Sequence, residues 1–359
     1  MDIDSTASAV RERLAAGDAA GAVALLPARA APDALATLAA QAHWADGHYD
    51  AALALFARGA RAAPGDPEAV LREVQALLLL DRGAEALDRA RTALSGLAAS
   101  PQLELLALQL RLDREPGATI LPELVALHRR QPRFGEAEVA AACLELLLGH
   151  VPPQPRAFGR AMADARWASA RVQRAHVPPA RLLGTGPAVL RAAQAACSIE
   201  GLVLEFGVYH GRSLRLLAPG ADGHAHGFDS FEGLPEDWTA RDGRGDLSTG
   251  GRLPDAGPHA RLHRGWFADT LPGFLAAHDG AVRLAHIDCD LYASTVTVLD
   301  ALAPRLVPGS VLVFDDFLAY PGWEGHEFRA WSEFAAARGI AHEFLAFALI
   351  GREAALVLR

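Results

Sequence analysis

The chain has 359 residues, enough for two or three domains with a buried core. Its 51% apolar and 21% charged fractions exclude a mainly disordered polypeptide, and its net charge of -9 argues against nucleic acid or an anionic membrane as the main partner. All 34 basic residues are arginine, so the P-loop lysine, the pyridoxal Schiff base and the kinase strand lysine are all excluded, and the lack of asparagine removes N-glycosylation.

The start, Met1-Asp2-Ile3-Asp4, is acidic and lacks an apolar leader, and the apolar run at 77–80 is too short to span a bilayer. These features predict a cytoplasmic protein. Cys143, Cys197 and Cys289 are few and widely separated, which fits reduced thiols and neither a disulfide framework nor a zinc cluster.

Residues 1–150 are rich in Ala and Leu at helical spacing. Pro32, Pro67, Pro101 and Pro132 punctuate them at intervals of 35, 34 and 31. Tyr49-Asp50-Ala51-Ala52-Leu53 aligns with Gly83-Ala84-Glu85-Ala86-Leu87, keeping a small residue where two helices pack. Gly47, Tyr49, Ala52, Phe56 and Pro64 resemble the turn and second-helix pattern of tetratricopeptide repeats. An all-α helical-repeat domain is therefore expected over 1–150. It would serve either as a concave surface for a protein partner or as packing for a neighbour or a homo-oligomer.

Val151-Pro152-Pro153-Gln154-Pro155 cannot continue a helix and marks a boundary. Residues 151–197 read as a linker and leading helices, at about 158–173 and 187–197. Short apolar runs then alternate with helical ones. Strands are predicted at 201–207, 224–229, 260–264, 282–288 and 309–314, and a tight turn at Gly351 requires 342–347 and 353–358 to pair antiparallel. The pattern is that of an α/β doubly wound sheet over 198–359.

In such a sheet the ligand sits beyond the carboxyl ends of the strands. The first strand ends Glu205-Phe206-Gly207-Val208-Tyr209-His210-Gly211-Arg212-Ser213. Gly207 lets a turn approach a ligand, and Gly211 and Ser213 open a helix whose amides favour an electronegative partner. The G-x-G-x-x-G dinucleotide fingerprint is absent, which places an oxidoreductase last. Asp229 ends the second strand, 24 residues after Glu205, where a carboxylate either accepts ribose hydroxyls or caps a helix. Asp288, Asp290, Asp315 and Asp316 end two strands expected to be neighbours, with no arginine close in sequence. Such a rim either holds a hard cation, Mg²⁺ before zinc, or is a solvated acidic loop.

Residues 198–359 resemble class I S-adenosylmethionine-dependent methyltransferases of the macrocin O-methyltransferase-like branch. The motifs are Glu205-Phe206-Gly207-Val208, Phe228-Asp229-Ser230-Phe231-Glu232-Gly233-Leu234-Pro235, Gly265-Trp266-Phe267-Ala268-Asp269-Thr270-Leu271-Pro272, Ile287-Asp288-Cys289-Asp290-Leu291-Tyr292 and Phe314-Asp315-Asp316. The resemblance implies a seven-stranded Rossmann-like sheet with the last strand reversed. It puts S-adenosylmethionine at Glu205, Gly207, Asp229 and Ser230, Mg²⁺ at Asp288, Asp315 and Asp316, and the general base at Asp290.

The implied reaction is Mg²⁺-dependent methyl transfer to a hydroxyl of a sugar or natural-product-like small molecule. The runners-up are an N- or protein methyltransferase whose repeats deliver the target, and a repeat scaffold on a degenerate fold. With no lysine available as base, Asp290 is the leading candidate. Trp323 is expected either to stack on the acceptor or to pack under the sheet edge, and His326 either to aid proton transfer or to cap a helix. Residues 237–259 read as a lid.

Overall fold

The computed structural model describes residues 3–26, 35–63, 65–96, 100–157, 159–221 and 223–359. Met1, Asp2, Pro32, Pro64 and residue 158, all used in the sequence reading, lie outside the described residues. The chain forms two compact units, Met1–Leu110 and Arg111–Arg359.

The first unit is all helix: α1 (Ile3–Ala15), α2 (Ala19–Ala24), α3 (Ala36–Ala45), α4 (Tyr49–Ala62), α5 (Pro67–Leu79), α6 (Gly83–Leu94) and most of α7 (Pro101–Leu112). Local chemistry starts these helices. Asp66 accepts the Glu68 amide at 2.9 Å, and Pro67 fills the first turn of α5. Ala52 and Ala86 are fully buried in a core with Phe56, Val70, Val74, Leu87 and Leu103, so small residues let successive helices approach.

The second unit begins with α8 (Gly117–Arg130), α9 (Gly135–Leu147) and α10 (Ala161–Gln173), packed in series. The stretch expected to be a linker and leading helices, 151–197, supplies two helices near the expected positions, α10 and α11 (Gly186–Ala196), and between them the edge strand β1 (Arg181–Leu183). The sheet continues with β2 (Leu202–Phe206), β3 (Ala225–Asp229), β4 (Ala260–Arg264), β5 (Val282–Ile287), β6 (Val311–Phe314), β7 (His342–Ala348) and β8 (Ala354–Leu358). Helices α12 (Arg212–Leu217), α13 (Phe267–Ala277), α14 (Tyr292–Leu302) and α15 (Glu327–Arg338) connect them.

The strand order is β1-β7-β8-β6-β5-β2-β3-β4. Only β8 runs against its neighbours; all other pairs are parallel. The sheet has eight strands where seven were expected. The extra one, β1, is three residues long and carries too little pattern to be read from sequence. Alternation then sorts the side chains. Leu204, Phe206, Ala285, Ile287, Leu312 and Phe314 pack with α13, α14 and α15 on one face, and Val203, Leu284, Val311 and Val313 with α11 and α12 on the other. The order of connection reverses between β2 and β5, which opens a crevice at their carboxyl ends. Among the described residues no helix is long and apolar enough to cross a membrane.

Candidate active site

The crevice starts at Gly207, directly after β2. Its φ is +91°, and a Cβ there would lie 1.7 Å from the Asp288 carbonyl oxygen, so only glycine lets this turn pass the end of β5. Asp229, at the end of β3, locks the same turn. Its Oδ2 accepts the Val208 and Tyr209 amides at 2.9 and 2.7 Å, and its Oδ1 accepts the Phe231 amide at 2.6 Å. The carboxylate thus organises backbone while still facing the cavity.

That cavity, about 280 Å³, is lined by Gly207, Asp229 and Ser230 together with Asp288, Asp290 and Asp316. The remaining cofactor candidates stand behind the wall. Glu205 is fully buried under the sheet, Ser213 is buried, and Gly211 packs against Pro254 and Ala256. Because α12 has only six residues, the helix-dipole argument for Gly211 and Ser213 loses its basis.

The acidic rim divides. Ligand atoms of Asp288, Asp290 and Asp316 lie within 4.8 Å of one another, and so do those of His286, Asp288 and Asp315. Asp288 belongs to both groups, while Asp315 and Asp316, adjacent in sequence, point to different ones. Asp315 faces His286 Nε2 at 3.4 Å, and His286 Nδ1 lies 3.0 Å from Glu205 Oε2. The other Glu205 oxygen is buried without a hydrogen-bond partner. Burial works against a charged imidazole, but hydrogen bonds with Asp315 and Glu205 hold His286 well above the ordinary histidine value.

Burial also pushes the carboxyls of Asp288, Asp290 and Glu327 well above the usual range, and their carboxylate neighbours add to the effect. Asp316 rises to about 6 for the same reasons, opposed by Arg352, which donates to Asp316 Oδ1. Asp290 is also held at φ +58°, a left-handed conformation that aims its side chain into this cluster. So dense a set of buried carboxylates favours either a proton or a cation. An oxygen-only set such as Asp288, Asp290 and Asp316 suits a hard cation.

Residues 204–317 match the family model described as a methyltransferase domain. Over that stretch the α/β unit is similar to a methyltransferase domain. A curated relative, the 8-demethyl-8-(2,3-dimethoxy-alpha-L-rhamnosyl)-tetracenomycin-C 4'-O-methyltransferase of Streptomyces olivaceus, is 34% identical over 151 residues, 34% of this chain and 55% of the relative. The chain therefore spans about half the length of that relative. The solved O-methyltransferase NovP is 23% identical, covering 47% of this chain and 78% of its own, with a TM-score of 0.36. CalS11, a calicheamicin methyltransferase, is also 23% identical, covering 62% of this chain and 92% of its own, with a TM-score of 0.38.

The cavity is also lined by residues that the sequence reading left without a role. Trp238, Trp266 and Arg352 line the cavity. Trp238 comes from the stretch expected to be a lid, which is tied into turns by hydrogen bonds such as Leu234 N to Asp246 O and Thr239 Oγ1 to Asp242 Oδ2. Trp323 is 2% exposed and meets Phe328 edge to face at 4.7 Å, so it packs in the core and does not reach an acceptor. His326 stands at the start of α15, outside the cavity wall, and its side chain makes no cap bond. Arg352, from the β7–β8 turn, is the neutralising arginine that sequence proximity could not supply. His286, which the sequence reading missed, had a legible signal: it is a polar residue in the apolar, buried second half of β5, and it is the register partner of Glu205.

Proposed function

We propose that the chain is an S-adenosylmethionine-dependent O-methyltransferase acting on a hydroxyl of a sugar or similar small natural product, with Mg²⁺ at the acidic rim. The observation that supports this most strongly is one cavity, in a region similar to a methyltransferase domain, lined by a glycine turn, a ribose-type carboxylate and three clustered carboxylates.

On the cofactor side, Gly207 keeps the turn open. Asp229, anchored by three amides, retains acceptor capacity for ribose hydroxyls. Trp266 and Phe267 offer flat apolar walls for a purine ring. Glu205, Gly211 and Ser213 support this side from behind.

On the acceptor side, Trp238, Pro235 and Leu247 form an apolar wall that leads to Asp290. Asp288, Asp315 and Asp316 are the oxygen donors proposed for Mg²⁺, Asp288 being shared by both clusters, and Asp290, beside Asp288 and Asp316, is kept for proton removal. When bound, Mg²⁺ lowers the pKa of a hydroxyl beside it. Asp290 takes the acceptor's proton. For that it must be ionised, and its neighbours Asp316 and Glu327 oppose ionisation unless a cation offsets them. Holding the acceptor oxygen in line with the methyl group is then mainly a matter of alignment. The helical unit fits a tetratricopeptide-like array that recruits a protein partner or a second copy.

Calorimetric titration with S-adenosylmethionine, followed by assay of rhamnosyl-type acceptors with Mg²⁺ or with EDTA, tests the reading. Cofactor binding with Mg²⁺-dependent O-methyl product is expected. Failure to bind the cofactor overturns the assignment, and full activity in EDTA overturns the metal role.

A further inference from the structure

The β5–β6 ladder ends just where the chemistry begins. Its last backbone bond runs from Asp315 N to Ile287 O at 2.9 Å. Beyond it, the segments carrying Asp288 and Asp290 on one side and Asp316 on the other would be driven apart by their own charges. One side chain ties them together. Glu327, the first residue of α15, is fully buried. Its Oε1 accepts the Cys289 amide at 3.3 Å and its Oε2 the Asp316 amide at 3.1 Å. Cys289 sits between Asp288 and Asp290, so this one carboxylate bridges both halves of the rim.

The bridge rests on rigid ground. Trp331, one turn further along α15, is buried against Phe314 of β6, with ring centroids 5.9 Å apart. A buried carboxyl group is costly, and here each of its oxygens accepts one backbone amide.

We propose that Glu327 is a positioning residue for the cation pocket: by holding both strand ends it sets the spacing of Asp288, Asp290 and Asp316. This rests on the cation reading above. It adds that the pocket's geometry is set by a carboxylate that lies behind the ligands and contacts none of the reacting groups.

The experiment is calorimetric titration of Mn²⁺ into the full chain saturated with S-adenosylhomocysteine, for wild type, Glu327→Gln and Glu327→Ala. Glu327→Gln keeps the volume and one acceptor oxygen but turns an amide donor toward an N–H. Both variants are expected to bind Mn²⁺ at least about 10-fold more weakly, as loss of a residue behind the ligands typically does, with S-adenosylhomocysteine affinity within about twofold of wild type. Unchanged Mn²⁺ affinity in a variant that still binds S-adenosylhomocysteine overturns this inference alone. No Mn²⁺ binding by wild type overturns the cation reading and the inference together. Loss of S-adenosylhomocysteine binding in Glu327→Gln also overturns it, because the residue would then hold the fold and not the pocket.

Discussion

Both units pair carboxylates with arginines at the surface, and the α/β unit adds a buried cluster of carboxylates. In the helical unit, carboxylates meet arginines at the surface: Glu68 with Arg72 at 2.8 Å, Glu85 with Arg82 at 2.6 Å, and Asp18 with Arg13 at 2.5 Å. In the α/β unit, Asp288, Asp290, Asp316 and Glu327 converge inside the protein with one guanidinium, Arg352, against them. Exposed pairs cost little and give little. Buried like charges are expensive, and a fold keeps them where a proton or cation is to be handled. The contrast locates chemistry without reference to any relative.

Removing the key carboxylate is the strongest way to break this comparison. Asparagine tolerates the left-handed φ of +58° at Asp290, so Asp290→Asn should fold. Turnover is expected to fall by about 10²–10⁴-fold, the usual worth of a general base, with S-adenosylmethionine affinity retained. Single-turnover kinetics with saturating cofactor would check it, and near-normal turnover would mean that the buried charge serves something other than proton removal. Next in size is Gly207→Ala. Its methyl group would meet the Asp288 carbonyl, and the positive φ adds strain. A loss of about 1–3 kcal/mol in stability is expected, together with weaker cofactor binding, read from a urea melt and a cofactor titration.

Much of this was legible in the sequence because it follows from short-range rules. The central strands β2, β5 and β6 are mostly apolar runs of buried residues, and Gly207, Asp229, Ser230, Asp288, Asp290 and Asp316 sit at or just beyond strand ends, where a doubly wound sheet gathers its ligands. What escaped depends on long-range partners. Arg352 reaches Asp316 across 36 residues, and Glu327 reaches Cys289 across 38. No spacing rule links such positions. The split between Asp315 and Asp316 was equally hidden, since it arises from where His286 stands and not from the Asp-Asp pair itself. The sequence left Trp323 open between stacking on an acceptor and packing, because an aromatic in a polar loop fits either, and its contact with Phe328 decides for packing.

A smaller effect tests whether all buried titratable groups in the α/β unit belong to the site. His226 on β3 and His263 on β4 lie 3.0 Å apart, ring nitrogen to ring nitrogen, with His278 edge to face with His226 at 5.1 Å between ring centroids. Burial, and then the charges of His263, His278, His224 and Arg261, lower His226 from 6.5 to about 4. The sign follows from linkage. Between pH 6.5 and 4 the unfolded chain binds a proton that the folded one refuses, so this group's contribution is intact above pH 6.5 and is lost as pH falls toward 4. Since the cluster is only half-buried, a drop of a few degrees in Tm is expected over that window. Comparing wild type with His226→Gln from pH 7 to pH 4 should show a shallower decline in the variant, and parallel curves would leave acid sensitivity to the carboxylates alone.

The smallest effect belongs to the helical unit. Glu73 and Arg89, joining α5 to α6 at 2.7 Å, are 12% and 27% exposed, the least exposed of the charge pairs described within that unit between arginine and carboxylate. If this unit keeps its charges only where solvent and a partner satisfy them, the double-mutant cycle Glu73→Gln with Arg89→Gln should give a coupling of about 0.2–1 kcal/mol, weakened further by salt. Removing either partner alone should cost little more than that, because water can still reach the one left behind. A coupling of about 3 kcal/mol or more that salt does not reduce would make this pair a buried one in energetic terms. The contrast between a helical unit that disperses charge and an α/β unit that concentrates it would then fail at its weakest point, and the groove beside Glu73 and Arg89 would have to be weighed as a second place where the chain stores charge for a purpose.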